Sequence, residues 1–314
     1  MENINKDIGI GNDIRRFAET VSGAVSEALG GKCQVKLQEV IKNNGIILQG
    51  LVILDDRYSL SPTIYLNGFL DAYEKGVPVS NIVDRILEIY NEEAPKENID
   101  MSFFRDFDKV SQDICYKLVS RSRNKALLQR IPHVDFLDLS ICFYYSCRNT
   151  PLGCGSVLIH NSHADMWNCS VEALMKLAKK NTPRIYPCEV HGMSELLAEF
   201  TQTGTTSCAE DDAVDCIPMK VLTNDRKLHG ASCMIYPKVL KNVAESVNDN
   251  LYILPSSIHE VILLPESEAD DAGMLHDMIF EVNATQVEPE EILSDSLYFY
   301  NRDDDRIEIK AKRR

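Results

Sequence analysis

The stretch LYILPSSIHEVILLPES, Leu251 to Ser267, sets two serines, a histidine and a glutamate in an otherwise apolar run, the residue types of a hydrolytic site. A nucleophilic serine sits on a sharp, glycine-flanked turn, whereas Ser256 and Ser257 follow Pro255 with no glycine beside them. Read as a strand, Ile258 to Leu264 alternates faces, so the adjacent His259 and Glu260 point apart. The helical zinc-protease pattern needs a second histidine four residues after the first, and that position is Leu263. His259 and Glu260 are thus catalytic candidates only if folding brings other polar groups to them. Those groups would come from FFRDFDKV, Phe103 to Val110, which places Arg105, Asp106 and Asp108 among aromatics. There the first expectation is a structural, partly buried arginine-carboxylate pair.

Metal-ligand spacing is approached by His160 and His163 followed, after a helix, by Cys188 and His191, two close pairs that could close a tetrahedral zinc site. Phosphate-binding patterns fail on inspection. Gly31-Lys32 has no glycine five residues before it and is followed by Cys33, and Gly9 and Gly11 lack a preceding strand and a third glycine. In LGCGS, Leu152 to Ser156, the glycines fit a turn between strands, with Cys154 inside it and no cation nearby in sequence. Basic residues cluster at SRSRNKALLQR, Ser120 to Arg130, and in the tail KAKRR, without interleaved aromatics for stacking on bases. These read as solvated faces, as do the acidic runs at Glu210 to Asp215, Glu266 to Asp271 and Asp303 to Asp305.

The elements that must position these residues belong to a folded chain. Its 314 residues are 44% hydrophobic, enough for one large or two ordinary cores. No apolar run reaches membrane-spanning length and the N-terminus lacks a secretory pattern, so a cytoplasmic protein with no membrane contact is expected. Ten cysteines sit mostly in apolar contexts and read as buried thiols. With 33 basic and 48 acidic residues, the net charge of −15 repels nucleic acid except through a local basic patch.

Periodicity predicts a helix over Asn12 to Leu29, stopped by Gly30-Gly31, then a hairpin about Asn43-Asn44-Gly45. Ser61 and Pro62 are placed to start a second helix, and Ser80 to cap a third with Val83, Ile86, Leu87 and Tyr90 inward. DKVSQDICYKLVS fits helix and strand periodicities comparably and is read as helix. VDFLDLSICFYYSC and GSVLIHN are read as neighbouring strands, and SVEALMKLAKK as a helix capped by Ser170. Thr201 to Cys216 is a solvated loop; VLTN and ASCMIY are strand-like, two further helices carry Leu240 to Val247 and Leu275 to Val282, and a hairpin closes the chain. The sum is an α+β protein with mixed or antiparallel sheets covered by amphipathic helices. It is one compact unit or two lobes, 1–130 and 131–314.

Several blocks, VIKNNGIILQGLVI, SPTIYLNGF, FFRDFDKV, PHVDFLDLSI, LYILPSSIHEVILLPE and VNATQVEPEEILSDSLYFYNR, span about Val35 to Arg302. They resemble a family of uncharacterised bacterial proteins of Gram-positive gut bacteria and their mobile elements. The resemblance implies a domain of unknown function and supplies no activity, cofactor or site residue. The first functional expectation is a non-enzymatic interaction or regulatory protein that binds a protein partner through its acidic surface, without a cofactor. The alternative is a hydrolase or nucleotide-handling enzyme using His259, Glu260 and Arg105, and a third is a zinc-binding protein.

Overall fold

The computed structural model describes residues 2–58, 60–94, 102–148, 155–192, 219–255 and 257–311, with side chains from residue 13 onward. The protein is α+β, and among the described residues all strand pairings are antiparallel. It divides into two compact units, Met1–Lys42 with Ile46–Phe103, and Asn43–Gly45 with Phe104–Arg314.

In the first unit, α1 (Glu2–Ala28) buries Phe17, Ala18, Val21 and Val25 along one stripe. Gly30 and Gly31 follow at φ +59° and +75°, values that cost glycine nothing and end the helix. Strands β1 (Gln34–Ile41) and β2 (Ile47–Leu54) form the expected hairpin, with Asn44 left-handed at φ 59°. The segment after Pro62 departs from expectation. Thr63-Ile64-Tyr65, β-branched and aromatic, pairs with β2 as strand β3 (Thr63–Tyr65), so α2 (Asn67–Glu74) begins only at Asn67. Helix α3 (Val79–Glu93) starts after Pro78 rather than on a Ser80 cap, and turns Ile82, Val83, Ile86 and Tyr90 inward. Leu51, Ile53, Ile64 and Leu66 complete this core.

The second unit begins with α4 (Phe107–Val110) and then β4 (Ile114–Ser120), where a helix was expected. ICYKLVS is buried at every position but Lys117, and the apolar surroundings on both faces favour a strand over an amphipathic helix. After α5 (Lys125–Leu128), β5 (His133–Phe136) and β6 (Leu139–Ser146) fold as a hairpin, and β6 is shared with β4 and with β7 (Ser156–Leu158). Helices α6 (Asn161–Met166) and α7 (Val171–Ile185) follow, the latter capped by Ser170 Oγ, which accepts from the Ala173 N–H at 3.3 Å.

A six-stranded sheet completes this unit, in the order β13 (Arg306–Ala311), β12 (Leu297–Asn301), β10 (Leu251–Leu254), β11 (Val261–Pro265), β9 (Lys220–Asn224), β8 (Cys188–Gly192). Between β9 and β10, GASCMI forms a 3-10 turn, Gly230–Ile235, in place of the expected strand, and leads to α8 (Val239–Val247). Between β11 and β12 lies α9 (Ala272–Thr285). The Thr201 to Cys216 loop, Cys154, Ser256 and the last three residues of the basic tail lie outside the described residues. No described helix is long and apolar enough to cross a membrane.

Candidate functional site

His259 and Glu260 lie in the turn between β10 and β11, immediately before the strand, which starts at Val261 and not at Ile258. The turn is held by polar bonds: the Ser257 hydroxyl accepts from the His259 N–H at 3.0 Å, and the His259 carbonyl accepts from Thr223 Oγ1 at 2.8 Å. His259 Nδ1 accepts from the His229 N–H at 3.3 Å, which leaves the proton on Nε2, 3.5 Å from Glu291 Oε1. Its ring stacks on that of His229 at 5.9 Å and 8°. The carboxylate beside His259 is thus Glu291, and both ring nitrogens are engaged in fixing the turn.

Arg105, Asp106 and Asp108 are exposed at the start of α4. Asp106 caps that helix, accepting from the Asp108 N–H at 3.2 Å, and its ion pair is with Lys109 at 3.5 Å. The expected arginine pair is replaced by this cap because Asp106 precedes the first helical residue, where bare N–H groups face its carboxylate.

The histidines and cysteine with metal spacing fall into local arrangements. His163 Nδ1 accepts from the His160 N–H at 3.2 Å and closes the first turn of α6, while its ring packs edge-on to Phe104 at 5.1 Å. Burial, and then the charge of His160, hold the His163 pKa below its usual range. His191 Nε2 meets Glu189 at 3.1 Å, and Cys188 is half-buried at the start of β8. Among the described residues, no group of three or more His, Cys, Asp or Glu side chains is placed to hold a metal ion.

A different site emerges within the second unit. A cavity of about 430 Å³ is lined by Tyr116 of β4, Phe136 of β5 and Ile141 of β6, and by Met175 and Lys179, one turn apart on α7. The segment from Met234 through Tyr236 to Leu240 and Lys241, entering α8, forms another wall. Tyr300 of β12, Asp305 of the β12–β13 turn and Arg306 and Ile307 of β13 close it. The buried rings of Tyr116 and Tyr236 meet edge to face at 6.1 Å, and the Tyr236 hydroxyl donates to the Tyr186 carbonyl at 3.1 Å, so this side is rigid and apolar.

The rim carries four cations, Lys179, Lys238, Lys241 and Arg306, and one carboxylate. That carboxylate, Asp305, accepts from the Tyr300 hydroxyl at 2.6 Å. None of the four cations forms an ion pair among the described residues. Lys238, left-handed at φ 66°, opens α8, whose N-terminus has no side-chain cap and no acidic residue in its first turn. Its amide dipoles add positive potential on the same side as Lys238 and Lys241. The arrangement can hold an anionic group at the rim with an apolar body inside.

Sequence reading missed this site. Lys179 falls there within the helix SVEALMKLAKK, and Arg306 within the closing hairpin, next to the acidic run Asp303 to Asp305. Only the uncapped start of α8, after Pro237-Lys238, gave a local sign.

Fold and cavity define an α+β protein whose second unit carries a cation-rimmed, apolar-walled cleft. The chain belongs to the family of unknown function DUF5688, which it matches over residues 14–302. No curated protein and no solved structure matches it.

Proposed function

We propose that the second unit binds an anionic small molecule in the cleft among α7, α8 and the β12–β13 turn, and that the protein acts as a ligand-responsive regulatory protein. One observation carries this reading: four cations with no ion-pair partner among the described residues line the cavity of a chain with 48 acidic residues and a net charge of −15. Like charges on one rim repel, and carboxylates are abundant elsewhere in the chain. An anion entering the cleft relieves that repulsion while its apolar part meets Met175, Tyr236 and Tyr300.

Calorimetry with matched probes tests this: an aryl phosphate, a nucleoside phosphate, an aryl carboxylate and their neutral isosteres. Binding of at least one anion, absent for its isostere, is expected. Removing one contacting charge, in Lys241→Ala or Lys238→Ala, should weaken it by about 1.4 kcal/mol, a tenfold change. Failure of every anion to bind, or equal binding of the isosteres, rejects the reading.

A second reading, contact with a protein partner, is favoured by α9. That helix buries Ile279 but leaves Met274, Met278 and Phe280 at 67%, 38% and 40% exposure. Exposed apolar residues on one helix suit a partner surface better than water does. Affinity capture from native lysate with the wild type and with Met274→Lys/Met278→Lys tests it; equal recovery with both baits, or none, rejects it.

A further inference from the structure

Helix α9 exposes a stripe of mixed character. Met274, Asp277, Met278 and Glu281 recur at i, i+3, i+4 and i+7, so two thioethers and two carboxylates share one exposed face, while Ile279 and Asn283 turn inward. Met278 also lines a narrow cavity of about 40 Å³, with Ile279 and Val282 of the helix, Leu254 of β10, Pro255 and Ile262 of β11. An opening of that size and lining takes the tip of one aliphatic side chain.

The charge around this stripe has one sign. Residues 242–301 hold thirteen aspartates and glutamates and no lysine or arginine, −13 of the chain's net −15. Glu268, Asp270 and Asp271 are exposed immediately before α9. Within the described residues, the ion pairs of this stretch are Asp295 with Arg123, Glu291 with His259, and Asp277 with His276 at 4.0 Å. Glu268, Asp270, Asp271 and Glu281 are neutralised by none of these.

We propose that α9 docks a basic amphipathic helix of a partner protein. Apolar side chains of that helix rest on Met274 and Met278 and enter the adjoining cavity, and its lysines and arginines face Asp277, Glu281 and the carboxylates before α9. The docking rests on the partner-contact reading of α9 and gives that partner its chemistry. Methionine is unbranched and polarisable, so it adapts to different apolar side chains, and the carboxylates between the methionines select the sign of the partner's charge. An acidic protein or an anionic membrane meets repulsion at this face. A second copy of the chain, paired symmetrically through α9, would set the same carboxylates against each other.

The full chain is titrated by fluorescence anisotropy with three labelled peptides about 18 residues long. One carries leucines at i, i+3, i+4 and i+7 among lysines, one has every lysine replaced by glutamate, and one scrambles the first at the same composition. The ordered lysine peptide is expected to bind, the glutamate peptide to fail, and the scrambled one to bind at least about tenfold more weakly. Met274→Lys/Met278→Lys should lose about tenfold or more of that affinity. Asp277→Asn/Glu281→Gln, a second variant at exposed positions whose folding is checked by circular dichroism, should lose severalfold and blunt the salt dependence. No binding, equal binding of the scrambled peptide, or variants that bind like the wild type overturns the proposal. So does a dimer in sedimentation that Met274→Lys/Met278→Lys dissolves, which assigns the face to a second copy. If the peptides fail while the wild type recovers from lysate proteins that the Met274→Lys/Met278→Lys bait does not, the basic chemistry falls and the partner reading stands. Equal recovery with both baits overturns the partner reading and the proposal with it.

Discussion

At the scale of single residues, His229 concentrates the most tension. It adopts φ 53°, its ring lies edge-on to Tyr144 at 5.5 Å and stacks on His259, and its Nδ1 is buried without a hydrogen-bond partner. Burial first, then the charges of Lys117 and His259, hold its pKa well below 6.5. A histidine kept neutral when folded takes up a proton more readily when unfolded. Its contribution is intact above pH 6.5 and is lost as pH falls below that value, at up to about 1.4 kcal/mol per pH unit. His229→Asn tolerates the left-handed backbone and does not titrate. Urea midpoints between pH 7 and 5 should therefore fall more steeply for the wild type than for this variant; parallel curves would reject the assignment. Asp55, in the first unit, has the opposite chemistry. The Arg57 side chain binds it with bonds of 2.6 to 3.0 Å, the Arg57 N–H adds another, and its pKa is held at about 2. A depressed carboxylate stabilises above its ordinary value of 3.8 and loses that effect as pH falls towards about 2. Asp55→Asn should be less stable than the wild type near neutrality, with the gap closing across that acid window in thermal melts.

Single elements were legible where one periodicity dominated, and misread where two competed. Helices α1, α3, α7 and α8 and the first hairpin follow from apolar spacing, with glycines ending α1 and Ser170 capping α7. SPTIYL carries both a helix-start signal and a β-rich triplet, and pairing with β2 decides for the strand. ICYKLVS becomes a strand because β6 pairs along its whole length, Ile114↔Tyr145 to Ser120↔Leu139. ASCMIY has strand composition, but Gly230 must fit where a side chain cannot. A Cβ there would collide with the His259 carbonyl, Thr223 Oγ1 and the Asn224 N–H, so the chain turns tightly instead of extending. Gly230→Ala should destabilise the second unit by at least the upper part of the roughly 1–3 kcal/mol of an overpacked site. Chemical denaturation should resolve this easily, and a loss below about 0.5 kcal/mol would show that the turn has room to adjust.

At the scale of the whole molecule, charge distribution is the informative quantity. The net −15 describes a surface that discourages anions, yet the cleft presents four cations to one carboxylate that is already engaged. Its attraction for an anion should therefore depend strongly on salt. Raising ionic strength from about 0.1 to 1 M shortens the screening length from about 10 to 3 Å and should weaken anion binding severalfold while leaving a neutral isostere unaffected. A salt-independent affinity would argue against a charge-driven site. The sequence by itself determined the α+β class, most helices, the first hairpin and the acid excess, because these depend on composition and on spacings within a few residues. It also brought out His259, whose partners His229 and Glu291 come from distant loops. Only the tertiary structure decided which strands pair, which carboxylate faces that histidine, and that Lys179, Lys238 and Arg306 share one rim. Each of these depends on the distance between residues far apart in the chain, a quantity set by the packing of sheet and helix and carried by no local pattern.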